Sequence, residues 1–210
     1  WPFKQHKTSR NIKTVPYYEE LKKAGACFGV SGGYERPMWF AIDDNKPEYE
    51  YSYNYQNWYP SAEFETKNTT KNIGLFDLTP FSKFELKGEN AHEELQKLCT
   101  ANIKNEIGKC TYTQMLNPDG GIETDLTVVC LEKNYFRIVS SAATRERDKF
   151  HIKKYLPNNL ILKDVTDDYC ALGIFGPNSR LLLQDLSKDD FSNENFKFAT
   201  SKYVYIDNSK

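Results

Sequence analysis

The side chain with the clearest call on chemistry is Asp125. It follows Asn117-Pro118-Asp119-Gly120-Gly121, the sharpest turn signal in the sequence, and directly precedes Leu126 and a β-branched, aliphatic run. Proline fixes one backbone angle and glycine tolerates positive φ, so the stretch Tyr112–Leu131 predicts a hairpin. Ile122–Leu131 reads as its second strand. Strand side chains alternate between faces, which puts Glu123, Asp125, Thr127, Val129 and Leu131 on one side and Ile122, Thr124, Leu126, Val128 and Cys130 on the other. Asp125 therefore opens a face that turns apolar further along. A carboxylate at the mouth of such a strand costs free energy unless something pairs with it, which makes it a candidate for chemistry. The plainer reading is a turn-proximal Asp capping loose backbone amides, and spacing alone leaves both open.

Other reactive residue types offer less. The three histidines (His6, His92, His151) lie far apart without metal-ligand spacing, so no metal site is expected. The five cysteines are odd in number and contain no C-x-x-C pair, which favours buried free thiols in a reducing compartment. GVSGGYERPMWF lacks the Lys-Ser or Lys-Thr of a phosphate loop. Asn68-Thr69-Thr70 fits a glycosylation pattern but reads as ordinary loop, and His92-Glu93-Glu94 as a solvated helix face. With 28 basic against 29 acidic residues and no basic block, nucleic acid is not an expected partner. No apolar run reaches membrane-spanning length and no signal segment opens the chain, so a soluble protein with no membrane partner is expected. The 210 residues begin at Trp1 rather than Met, so the polypeptide is expected to start upstream.

The elements that must position Asp125 follow in order. Pro16 suits a helix first turn, Tyr17, Leu21 and Ala24 recur at helical spacing, and Gly25 ends the run. Gly29, Gly32 and Gly33 predict a bent loop. The tyrosine-rich stretch from Asp43 to Pro60 should wrap over a surface as a stapled loop. Ser61–Asn72 predicts a helix capped by Ser61. Phe84 and Leu86 alternate with Lys83, Glu85 and Lys87 as a half-buried strand. Asn90–Thr100 reads as helix, and Tyr135–Ser141 as a strand pairing with Leu126–Leu131. Arg145–Leu156 predicts a helix with Phe150, Ile152, Tyr155 and Leu156 apolar. Leu160–Val165 and Tyr169–Phe175 read as strands, a leucine-rich helix follows Gly176-Pro177-Asn178-Ser179, and Phe196–Ile206 reads as new β material. Strands in hairpin succession with interspersed helices predict an α+β fold on antiparallel sheet.

Four blocks, GGYERPMWF, NIGLFDLTPFSKFELKG, YTQMLNPDGGIETDLTVV and LGIFGPNSRLLLQDL, resemble the C-terminal, folate-binding portion of dimethylglycine and sarcosine dehydrogenases. That portion is itself similar to the aminomethyltransferase (T-protein) of the glycine cleavage system. The resemblance runs from about Pro16 to about Ile206. It implies a T-protein-like fold of antiparallel sheets flanked by helices, incomplete at the C-terminus. Residues 1–56 would be the tail of a flavin-oxidoreductase domain and the entry segment, and residues 57–210 the N-terminal part of the folate-binding domain.

The resemblance also implies an activity. A flavin-bearing half upstream, holding FAD, would oxidise an N-methyl group to an iminium. The folate-binding half would place the one-carbon unit on tetrahydrofolate, giving methylenetetrahydrofolate. Partners would be a methylated amine, folate and an electron acceptor, in a bacterial cytoplasm or a mitochondrial matrix. The family's catalytic Asp matches Asp125 before Leu126, where a carboxylate can accept a proton or stabilise a developing cation. Tyr112, Met115 and Asn117 match the wall of the folate pocket. Phe81 stands where the T-protein has Met, which favours the dehydrogenase branch, and Ser141 where it has a folate-contacting Asn. A free-standing aminomethyltransferase and a non-catalytic regulatory relative are the alternative readings.

Overall fold

The computed structural model describes residues 4–206. Its elements in chain order are α1 (Tyr18–Lys23), β1 (Ala26–Ser31), β2 (Tyr34–Phe40), α2 (Tyr59–Lys71), β3 (Gly74–Asp77), β4 (Ser82–Lys87), α3 (Ala91–Leu98), β5 (Cys110–Leu116), β6 (Ile122–Glu132), β7 (Tyr135–Ser140), α4 (Arg145–Tyr155), β8 (Ile161–Asp164), β9 (Leu172–Phe175) and α5 (Ser179–Leu186). They divide into two compact units, one built from the residues up to Pro80 with Cys170–Ser179, the other from Phe81–Tyr169 and the residues from Arg180 onward.

In the first unit β1 and β2 form an antiparallel hairpin across Gly32 and Gly33, at φ 58° and 81°. The expected bent loop is thus a tight turn whose two central residues both need positive φ, the geometry that matches strand twist. Arg10 clamps the hairpin from outside, its Nε 2.7 Å from Glu35 Oε1, while the Asn11 amide donates to Glu35 Oε2 at 2.7 Å. Burial alone would push the Glu35 carboxyl up, but these bonds outweigh it and hold it below the usual range. The tyrosine-rich loop is stapled as expected: Tyr49 stacks on Tyr51 at 5.7 Å, and both meet Trp58 edge-on. Helix α2 begins at Tyr59 because Pro60 fits its first turn, and Ser61 is buried inside it rather than capping it. Strands β3 and β9 pair antiparallel, Gly74 opposite Phe175.

The second unit is organised around an antiparallel five-stranded sheet in the order β5-β6-β7-β4-β8. Its inner face carries Phe84, Leu86, Leu126, Val128, Phe136 and Ile138, which pack with Ala91 and Leu95 of α3 and Ile152 of α4 into one buried cluster. Removing this apolar surface from water is what holds both helices to the sheet.

Three expectations change here. Phe150 is exposed, while Asp148 and His151 join Ile152 as the buried residues of α4. His92 is docked rather than solvated, its Nε2 2.9 Å from the Ile103 carbonyl and its ring stacked on Phe136. Phe196–Ile206 forms no strand; it meets the sheet through a single bridge between Lys109 and Thr200 and through the Cys110 amide donating to the Ala199 carbonyl. Phe198 and Tyr205 are exposed, so this segment lacks the buried side that a strand requires.

Candidate functional site

The turn between β5 and β6 is held by Asn117. Its Oδ1 accepts from the Asp119 and Gly121 amides at 3.1 and 2.8 Å, and its Nδ2 donates to Glu123 Oε1 at 3.2 Å. Gly120 sits at φ 82°, and a Cβ on Gly121 would lie 2.9 Å from Asn117 Nδ2. Both glycines are therefore dictated by the turn, one by conformation and the other by close approach. From this corner β6 runs back along β5 with Gln114 opposite Asp125 and Tyr112 opposite Thr127.

Asp125 and Tyr112 meet on the outer face of the sheet, the Tyr112 hydroxyl donating to Asp125 Oδ2 at 3.1 Å. Asp125 is exposed and Tyr112 is 63% exposed. The strand register brings two further residues to this end. Leu126 pairs with Ser140 and Ser140 with Ser82, so Ser141 and Phe81 stand one residue beyond the paired ends, next to Asp125 along the sheet. Neighbouring strands lie about 4.8 Å apart. Ser141 Oγ accepts from the Ala143 amide at 3.3 Å, and its carbonyl accepts from Ser82 Oγ at 2.9 Å. The Phe81 ring is partly exposed and its carbonyl accepts from Lys83 Nζ.

Met115 and Leu126 lie elsewhere. Met115 is 0% and Leu126 2% exposed, both within the inner-face core. They are an odd number of residues from Tyr112 and Asp125 respectively, so the pleat turns them to the opposite side. Both pack in the core under the strands that carry Tyr112 and Asp125. Asn117 sits at the corner, engaged in the turn, and lines a cavity of 340 Å³ with Thr100 and Tyr155.

Further along the outer face, Val129 and Leu131 line a hollow of 440 Å³ with Ile107, Arg137, Lys202 and Tyr203. Arg137 donates to Glu85 Oε1 at 2.6 Å and lies 4.3 Å over the Tyr169 ring, while the Tyr135 hydroxyl donates to Glu85 Oε2 at 2.5 Å. Partial burial pushes the Glu85 carboxyl up, but its bonds from Arg137 and Tyr135 win and hold it below its ordinary value. The same bond, with burial, raises the Tyr135 phenol to about 12.

A buried polar group beneath β6 is not marked by any sequence pattern. Asp148 of α4 accepts from Thr144 Oγ1 at 2.8 Å and from Thr124 Oγ1 at 3.1 Å. Thr124 and Asp148 are 24 residues apart on a strand and a helix, so no local periodicity joins them.

A model described as the GCVT N-terminal domain matches residues 17–210. The 4-methylaminobutanoate oxidase (formaldehyde-forming) of Paenarthrobacter nicotinovorans is 35% identical over 207 residues, covering 98% of this chain and 25% of that protein. The mitochondrial dimethylglycine dehydrogenase of Rattus norvegicus is 27% identical over 209 residues, covering 98% of this chain and 24% of its own length. This chain thus spans about a quarter of the curated relatives it matches. Among solved structures, the glycine cleavage system aminomethyltransferase T from Bartonella henselae superposes with a TM-score of 0.67 at 24% identity, over 83% of this chain and 43% of that one. The likeness in structure supports the α+β, T-protein-like fold, and the family model covers nearly the whole chain: it belongs to the GCVT N-terminal domain family.

Proposed function

We propose that this chain is the folate-binding part of a flavin-dependent, N-demethylating dehydrogenase of the dimethylglycine and sarcosine type, in which a one-carbon unit taken from a methylated amine passes to tetrahydrofolate. The observation that carries the reading is the Asp125 carboxylate, fixed by the Tyr112 hydroxyl at 3.1 Å on an open sheet face.

The residues present fit a reduced folate. Tyr112 holds Oδ2, and the Asp125 carboxylate makes no other hydrogen bond among the described residues, which leaves Oδ1 for a ligand N–H. The exposed Tyr112 ring offers an aromatic face to a flat heterocycle, and Ser141 and Phe81 extend the surface at the same end of the sheet. Tetrahydrofolate, when bound, supplies the amine nitrogens that take up the one-carbon unit. Asp125 accepts a proton from such a nitrogen or stabilises positive charge developing beside it, more strongly once water is excluded. FAD is assigned no residue here: the glycine-rich GVSGGYERPMWF folds as the β1–β2 hairpin rather than as a phosphate cradle.

The test uses the full-length protein and the methylated amine it oxidises. Asp125→Ala should spare amine oxidation, abolish methylenetetrahydrofolate formation and release free formaldehyde instead. Unchanged folate product would overturn the reading.

A further inference from the structure

We propose that Asp148 is a positioning residue for Asp125, acting through Thr124 to fix the height and tilt of the β6 backbone from beneath the sheet. The inference rests on the role given to Asp125 above and extends it to residues that no ligand touches.

The Asp148 side chain is 1% exposed. A carboxylate removed from water in this way is stable only if its oxygens are satisfied. Oδ2 accepts from both Thr144 and Thr124, at 2.8 and 3.1 Å, while Arg147 Nε lies 3.6 Å from Oδ1. Oδ1 has no hydrogen-bond partner among the described residues, so the hydrogen bonds to the carboxylate come from the two threonines. Thr124 is the residue before Asp125, and its hydroxyl also lies 3.2 Å from the Asp125 carbonyl. The Thr124 hydroxyl is thus within hydrogen-bond reach of both the Asp148 carboxylate and the Asp125 carbonyl. Arg147 adds a bond from its guanidinium to the Glu123 carbonyl. Glu123 and Thr124 are therefore tied to the first turn of α4, and Asp125 to it only through the Thr124 hydroxyl; α4 is in turn anchored in the core through Ile152.

Without this tie the site end of β6 would be held on one side only. β7 ends at Ser140, opposite Leu126, so Asp125 lies just past the end of that ladder and keeps only β5 as a paired neighbour. The link from α4 supplies the restraint that the ladder does not. Thr144, the residue just before α4, donates to the same carboxylate and makes no side-chain hydrogen bond to β6 among the described residues, so it serves as an internal control.

The experiment compares Thr124→Val, Thr124→Ser and Thr144→Val in the full-length protein. The readouts are the ratio of methylenetetrahydrofolate to free formaldehyde, KM for tetrahydrofolate and the unfolding temperature. Removing only the Thr124 hydroxyl should lower the rate of folate-product formation roughly tenfold, within the hundredfold that a displacement of about 1 Å can cost. KM should change little, Thr124→Ser should restore the ratio, and Thr144→Val should keep the wild-type ratio even if its unfolding temperature falls. A silent Thr124→Val beside a damaging Asp125→Asn would overturn the positioning role alone. An Asp125→Asn variant with unchanged products would remove the reading beneath it, and the proposal with it. If the two valine variants shift only stability, and shift it alike, Asp148 is a structural carboxylate and the proposal fails.

Discussion

Met115 and Tyr112 sit three residues apart on β5, and replacing them should affect different properties. Met115 is wholly buried, so Met115→Ala removes a thioether arm equivalent to about three methylenes at about 0.8 kcal/mol each. With the cavity left behind, the cost should be about 3 kcal/mol, inside the roughly 2–5 kcal/mol range for such truncations. That shifts the unfolding midpoint of the sheet unit down by on the order of 10 °C. Folate transfer by the protein that remains folded should be close to normal. Tyr112→Phe should do the reverse, because the lost hydroxyl lies on an exposed face against Asp125. Its stability should stay within about 0.5 kcal/mol of the parent, and folate transfer should fall on the order of tenfold through loss of a bond to a charged acceptor. Thermal unfolding followed by circular dichroism, with single-turnover transfer assays below the midpoint, separates the two. A Met115→Ala protein of normal stability that no longer uses folate would refute the face assignment, since it would put the thioether against the ligand.

Acid should weaken the second unit through Glu85 and Asp164, whose carboxyls lie below their ordinary values because hydrogen bonds from Arg137 and Tyr135, and from Arg145 and Thr166, outweigh burial. Their stabilisation is full above the unfolded-state values near pH 4 and is lost as pH falls through the lower folded-state values. Glu85→Gln should therefore cost on the order of 1 kcal/mol at pH 7 and progressively less as the carboxyl protonates in acid, as read by denaturant midpoints; a gap that widens in acid would contradict this. Peptide mapping after reaction with a thiol reagent at pH 8 should find Cys170, which is exposed, labelled first. Cys27 and Cys99, raised by burial to about 11 and about 12, should be labelled only on unfolding; early labelling of either would place it at the surface. The 210-residue chain by itself should bind tetrahydrofolate only weakly, because an open sheet face cannot enclose the ligand as a formed pocket does; tight binding by calorimetry would show that it can.

Much of this architecture is readable in the sequence, and the departures have local causes. The β5–β6 hairpin is plain because its corner combines proline, glycine and an asparagine that hydrogen-bonds its own turn. The β1–β2 hairpin is hidden because Gly32-Gly33 weakens the strand pattern while supplying the turn. The tail from Phe196 has strand-like composition but, among the described residues, pairs with the sheet only at the Lys109–Thr200 bridge. At the site, the Asp125–Tyr112 pairing follows from register. Met115 and Leu126 resemble folate-pocket positions by motif, yet the two-residue period already assigns them to the opposite side. The link from Asp148 to Thr124 could not be read at all, since it joins a helix to a strand through tertiary packing with no shared periodicity.

In the proposed function a reduced pteridine lies against Asp125. A crystal structure of the full-length protein with an unreactive reduced folate such as 5-formyltetrahydrofolate tests it most directly. A ring or amine nitrogen is expected within hydrogen-bond distance of Asp125 Oδ1, with the Tyr112 ring against the ligand. Folate bound elsewhere, with Asp125 still bonded only to Tyr112 and open to solvent, would contradict it.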